Sequence, residues 1–208
     1  MIYFVGAGSG APDLITVRGA RLLSEADVIV YAGSLVNPAL LDYKKDGCEV
    51  YNSAKMTLEE VIAVMAPAAK AGKTVVRLHT GDPCVYGAHR EQMAELDKRG
   101  LPYEVCPGVS SFCGAAAALK AEYTLPNVSQ SVILTRMEGR TPVPEKEQIE
   151  AFAAHGATMV IFLSIGLVAK VQEALLAGGA YTADTPAAVV YKATRPEEKV
   201  VRCTVGTL

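Results

Sequence analysis

Three short stretches hold most of the residues that could do chemistry: "VGAGSGAPDLIT" (5–16), "HTGDPCVYG" (79–87) and "CPGVSS" (106–111). The first invites comparison with a dinucleotide-binding turn, which needs G-x-G-x-x-G and an acidic residue about 20 positions on for a ribose. Here Gly6, Gly8 and Gly10 are spaced G-x-G-x-G, so the third glycine comes one residue early. Pro12 follows and has no backbone N–H to offer an anion. The next strand ends in Tyr31, Ala32 and Gly33 where the acid belongs, and Asp27 stands at that strand's start. The phosphate reading therefore fails, leaving a bland turn or a loop for another ligand.

The second and third stretches decide between these. Each follows an apolar run, and Gly81, Asp82, Pro83 and Gly87 in one, Pro107 and Gly108 in the other, are turn residues. Loops at the carboxyl ends of neighbouring strands in an open α/β sheet share one ligand pocket. The elements that must hold them alternate: strand 2–5, helix 14–26 with Leu14, Val17, Leu22 and Leu23 among its apolar positions, strand 27–32, a helix opened by a capping box at Thr57 and Glu60 and ended by Gly72, strand 74–79, helix 89–100, strand 103–106 and a small-residue helix from 110. Pro67 lies inside the second of these helices.

"YTLPNVSQ" (123–130) interrupts this pattern and predicts a boundary, giving domains of 1–122 and 123–208. The second domain reads as a mixed sheet: strand 131–136, a helix near 145–155, strand 158–164, a helix over about 167–178, and "AAVVYKA" and "KVVRCTV" as a hairpin. Two α/β domains imply a cleft between them, where small ligands collect.

The 208 residues are half hydrophobic and one-fifth charged, with a formal net charge of -2, which argues against a nucleic-acid partner. No apolar run approaches the ~20 residues that span a bilayer, and no secretory leader is visible, so the expectation is a cytoplasmic protein without a membrane partner. Five scattered cysteines without a C-x-x-C pair predict reduced thiols and no metal site.

In order and spacing, residues 5–36, "TGDPCVYG" and "PGVSS" resemble the signature blocks of the tetrapyrrole (corrin/porphyrin) methylases, over essentially the whole chain. The resemblance implies a class III methyltransferase fold of two α/β domains with a cofactor cleft between them, S-adenosylmethionine as methyl donor, a small-molecule tetrapyrrole acceptor and a homodimer. "VILTRMEGRTPVPE" (132–145) and "VVYKATRPEEKVVRCTV" (189–205) are similar to the branch that methylates C-11 of a corrin precursor in cobalamin biosynthesis. Family members continue past "TVGTL", so the second domain is expected to lack their last segment. Carried over residue by residue, the family's cofactor positions are Pro12, Thr80, Gly81, Asp82, Val85, Ser110 and Ser111, with Ile165 and Ala193 in the second half.

Glycine, proline and serine suit a sulfonium donor that needs close backbone approach. Asp82 either accepts from the donor's ammonium or braces its own turn. An electron-rich macrocycle carbon needs positioning more than a base, and no catalytic base is assigned: His79 reads as structural, His89 as the other titrating candidate nearby, His155 as solvated. A corrin acceptor carries many carboxylates, which Arg136 and Arg140 are placed to clamp, while Tyr86 packs on the macrocycle or in the core. Rival readings are methylation of another corrin intermediate, diphthine or ribosomal RNA, an NAD(P)-dependent oxidoreductase, and a catalytically silent binding protein.

Overall fold

The computed structural model describes residues 1–139 and 141–208. Strands β1 (Ile2–Gly6), β2 (Val28–Tyr31), β3 (Glu49–Asn52), β4 (Val75–His79) and β5 (Tyr103–Cys106) form one parallel sheet in the order β3-β2-β4-β1-β5. Helices α1 (Val17–Glu25), α2 (Leu58–Lys70), α3 (Arg90–Asp97) and α4 (Ser111–Leu119) alternate with them. Alternate side chains of each strand enter opposite cores. Val5, Ile29, Val76 and Leu78 pack with Leu22 and Leu23 of α1 on one face. Ile2, Phe4, Val28, Val30 and Val75 pack with Val61, Ile62 and Met65 of α2 and Leu96 of α3 on the other. A sheet covered on both faces accounts for the unbroken apolar runs that mark its strands.

Local chemistry sets the helix ends. The Thr57 hydroxyl accepts from the Glu60 amide while the Glu60 carboxylate accepts from the Thr57 amide, closing the capping box that opens α2. Pro67 sits inside α2, which runs to Lys70, and Gly72 follows at φ 79°. The first helix departs from expectation. Pro12–Leu14 makes a single 3-10 turn, and α1 begins only at Val17, with the Thr16 hydroxyl accepting from the Gly19 amide. Leu14 and Val17 are exposed, so the inward positions of this segment are Leu22 and Leu23. β3 went unpredicted because "EVYN" is a four-residue edge strand with its side chains half-exposed.

The chain divides into two compact units, Met1–Ala115 with Lys192–Pro196, and Ala116–Tyr191 with Glu197–Leu208. The second unit holds β6 (Val132–Arg136) paired parallel with β7 (Thr158–Phe162), and β8 (Pro186–Tyr191) paired antiparallel with β9 (Lys199–Thr204) as the expected hairpin. These are two separate two-stranded sheets, not one mixed sheet. Helices α5 (Ile149–Ala153) and α6 (Val168–Ala177) contribute Ile149, Ala153, Val171 and Leu175 to its core. No helix among the described residues is long and apolar enough to cross a membrane.

β4 is buried along its whole length, and two of its residues are polar: Arg77 and His79. The His79 ring lies against Phe4 and His89, with centroids 5.9 and 5.8 Å away, and its Nε2 has no hydrogen-bond partner. Burial above all, then the Arg77 and His89 charges, lowers its pKa to about 3, against the opposing pull of a hydrogen bond with the Gly87 backbone. Between pH 6.5 and about 3 the unfolded chain therefore binds a proton that the native protein refuses, and stability falls with acidity at ~1.4 kcal/mol per pH unit. On going from pH 7 to pH 5, urea unfolding should show the native protein losing about 2 kcal/mol more than His79→Leu; equal losses would refute the assignment.

Candidate functional site

Strand register brings three loops to one level. Gly6 pairs with His79, and Val5 pairs with both Leu78 and Cys106, so the chain leaves β1, β4 and β5 side by side. β1 and β4 are neighbours, yet the helix after β1 covers one face of the sheet and the helix after β4 covers the other. That is a topological switch point, where an open α/β sheet leaves a crevice at its carboxyl edge.

The loops interlock through their backbones. Gly8 and Gly81 exchange amide bonds of 3.2 and 3.1 Å, both in left-handed conformations at φ 81° and 62°. A Cβ on Gly6 would lie 2.6 Å from both the Gly81 carbonyl oxygen and the Gly108 Cα, and one on Gly108 would collide with that same oxygen. The glycines thus serve loop-on-loop approach. Asp82 completes the lock: its Oδ1 accepts from the Cys84 amide and its Oδ2 from the Gly108 amide, each at 2.8 Å, tying the β4 loop to the β5 loop. Burial raises the Asp82 pKa, but hydrogen bonds from the Cys84 side chain and amide and from the Gly108 amide outweigh it and leave the carboxyl below its ordinary range. The site therefore carries a fixed negative charge at neutral pH.

A fourth segment, Lys192–Pro196, joins the first unit from far along the chain. The Thr194 hydroxyl accepts from the Ala11 amide at 2.9 Å and lies 3.4 Å from the Ser9 hydroxyl. A Cβ on Gly10 would strike the Ala193 carbonyl, and one on Gly114 of α4 would lie 2.7 Å from the Ser9 Cβ. From the other side, Asn37 Nδ2 donates to the Gly10 carbonyl at 2.9 Å. Lys192 and Thr194 flank Ala193 at φ 48° and 65°, a conformation costly for residues other than glycine.

The first unit therefore gathers Pro12, Thr80, Gly81, Asp82, Val85, Ser110, Ser111 and Ala193 onto these loops and the returning segment. Pro12 opens the 3-10 turn, half-buried; Ser110 is buried, with its carbonyl accepting from the Cys113 amide. Val85 closes the turn that begins at the Asp82 carbonyl. Ile165 lies in the second unit, 68% exposed on a single helical turn. Tyr86 is 44% exposed and left-handed at φ 53°. Arg136, on β6, donates to the Met137, Thr141 and Pro142 carbonyls, so its guanidinium organises the loop that follows it. Arg140 lies outside the described residues. His79 is structural; His155 is exposed just past α5. Among the described residues no group of three or more His, Cys, Asp or Glu is arranged to hold a metal. Sequence reasoning missed Gly6 and Gly108 as contact points and Thr194 as a latch. Only the left-handed turn around "KAT" signals Thr194, and turn conformation is not visible in those letters.

A parallel sheet whose loops interlock at its switch point is the architecture of the open α/β proteins that bind small molecules at that edge. The sequence profile of the tetrapyrrole (corrin/porphyrin) methylases matches residues 1–208, and the chain belongs to that family. A cobalt-precorrin-4 C(11)-methyltransferase from Methanocaldococcus jannaschii is 56% identical over all of this chain and 78% of its own length. The X-ray structure of a cobalt precorrin-4 methyltransferase superposes with a TM-score of 0.95 at 51% identity, covering 99% of this chain and 85% of that one. A uroporphyrin-III C-methyltransferase from Thermus thermophilus, solved with S-adenosylhomocysteine, gives a TM-score of 0.82 at 28% identity over 99% and 83% of the two chains.

Two substitutions test the lock. Gly108→Ala forces a methyl into the Gly81 carbonyl and should cost about 2–3 kcal/mol in denaturant unfolding. Thr194→Val keeps the side-chain shape but leaves the Ala11 amide without its acceptor, for an expected loss of about 1–2 kcal/mol.

Proposed function

We propose that the chain is an S-adenosylmethionine-dependent C-methyltransferase that methylates C-11 of cobalt-precorrin-4 or precorrin-4 in cobalamin biosynthesis. The observation that carries this reading is the whole-chain likeness in sequence to methyltransferases named for that carbon, and in backbone to a cobalt precorrin-4 methyltransferase.

The chemistry of the loops fits the donor. A phosphate site offers successive free amides at the start of a helix. Here the glycine loop runs into Pro12 and a 3-10 turn, and the β4 loop contributes the Asp82 carboxylate, held below its ordinary pKa range. A negative site without a phosphate cradle suits a cationic ligand, and both the sulfonium and the ammonium of S-adenosylmethionine are cations. When bound, this donor would supply an electrophilic methyl: its S–CH3 bond breaks as a C–C bond to the acceptor forms, S-adenosylhomocysteine leaves with a neutral sulfur, and the charge delivered with the methyl leaves the macrocycle as a proton.

The protein's part is positioning. Thr80, Gly81, Val85, Ser110 and Ser111 form the wall against the donor, with Pro12 and Ala193 beside them; the family resemblance also assigns a donor position to Ile165. Asp82 holds the wall's geometry and supplies its charge. Tyr86 presents its ring to the macrocycle, and its left-handed backbone is the kind of local strain that gathers at functional sites. Arg136 and Arg140 pair with acceptor carboxylates, Arg136 exchanging loop carbonyls for a stronger charged partner. His79, neutral above pH 3 and sealed behind Phe4, is no base for this reaction. The homodimer and the cytoplasmic location that the family implies belong to the same proposal; sedimentation of the purified protein checks the former.

Titration calorimetry of the full chain with S-adenosylhomocysteine should show one site per chain. Incubation with S-adenosylmethionine and either acceptor, with or without cobalt, should add one methyl mass. A mass gain only on another corrin intermediate, diphthine or RNA would move the acceptor; absence of S-adenosylhomocysteine binding would remove the donor site.

A further inference from the structure

Arg77 is a charged residue on the buried central strand, 6% exposed, and it forms no ion pair among the described residues. Burial lowers its pKa to about 10, so the charge persists at neutral pH. An uncompensated buried guanidinium is costly unless neutral acceptors surround it. It finds them in the Val30 carbonyl at 3.2 Å, the Leu78 carbonyl at 3.5 Å and Oε1 of Gln92 at 3.0 Å.

Gln92 lies on α3, 7% exposed. Its amide can face only one way, because a guanidinium donates and never accepts, so the oxygen must point at Arg77. The nitrogen is thereby aimed at the Ala88 carbonyl, which it reaches at 3.1 Å. Ala88 ends the loop that follows β4, and it is left-handed at φ 48°. Tyr86, two residues earlier, is also left-handed, and a Cβ on the intervening Gly87 would collide with the Pro83 carbonyl. A loop with two unfavourable conformations in three residues relaxes unless something outside it fixes its end.

We infer that Arg77 and Gln92 are positioning residues for methyl transfer, a buried relay that anchors the far end of the 80–88 loop and so sets the donor wall. Asp82 anchors the near end to Gly108; the relay anchors the other end to the sheet floor. The inference rests on the reading of this loop as the S-adenosylmethionine site.

Gln92→Glu separates this role from stability. The carboxylate still receives the Arg77 Nε–H, now as a charged pair, but it has no proton for the Ala88 carbonyl and repels it. The full-length variant should melt within about 2 °C of the native protein, while S-adenosylhomocysteine binds about 10-fold more weakly by calorimetry, the effect of one lost hydrogen bond. Amide hydrogen exchange should quicken over residues 83–88 and stay unchanged along β1 and β4. Gln92→Met, which removes both bonds, should show the same weakened binding and exchange pattern whatever its melting point. Binding within two-fold of native in Gln92→Glu, or exchange unchanged over 83–88 in either variant, would overturn the inference. A native protein that binds no S-adenosylhomocysteine would overturn the donor-site reading beneath it.

Discussion

Three backbones meet where side chains would not fit, and the rest of the first unit is arranged around that contact. Gly6 ends β1, while Gly81 and Gly108 lie in the loops that follow β4 and β5, and a methyl on Gly6 or Gly108 would drive the loops apart. Close approach lets Gly8 and Gly81 bridge and brings the Gly108 amide within reach of Asp82. The sheet supplies the level at which the loops emerge, and the helices on its two faces supply the crevice. These glycines allow a wall to be built from loops that approach too closely for a side chain at Gly6 or Gly108.

The wall is held by polar bonds of opposite character. Asp82 is an anion satisfied by two backbone amides at the protein's edge. Arg77 is a cation satisfied by carbonyls and one amide oxygen in its interior. Neither is spent on the other, so the carboxylate charge remains in the site. A direct pair between them would have satisfied both groups and left the loops neutral toward a cationic ligand.

Much of this was legible in the letters, unevenly. The parallel sheet followed from apolar runs separated by capped helices, because two covered faces leave strands with no polar alternation. The loops at the sheet's carboxyl edge followed from glycine and proline at strand ends, and the family from their order. What failed did so for tertiary reasons. Leu14 and Val17 have the spacing of a buried helix face, but the proline turn takes up Leu14 and delays the helix start to Val17, leaving both exposed. β3 is a half-exposed edge strand whose pattern is too short to register. Arg77 and Gln92 drew no notice in the sequence, since a sequence does not display which charges a fold encloses. Thr194 is 183 residues from Ala11 in the chain, a separation across which no local signal runs.

That separation has a consequence for how the protein is made. Residues 1–115 can form their sheet as they leave the ribosome, since every strand pair in it is internal to that stretch. The Ala11 amide and the Gly10 turn, however, wait for residues 192–196, which emerge last among the groups they contact. At ~5–20 residues per second this interval lasts several seconds or more. During it the nascent sheet is complete while the Gly10–Ala11 turn lacks its partner, so this latch closes only after residues 192–196 have been made.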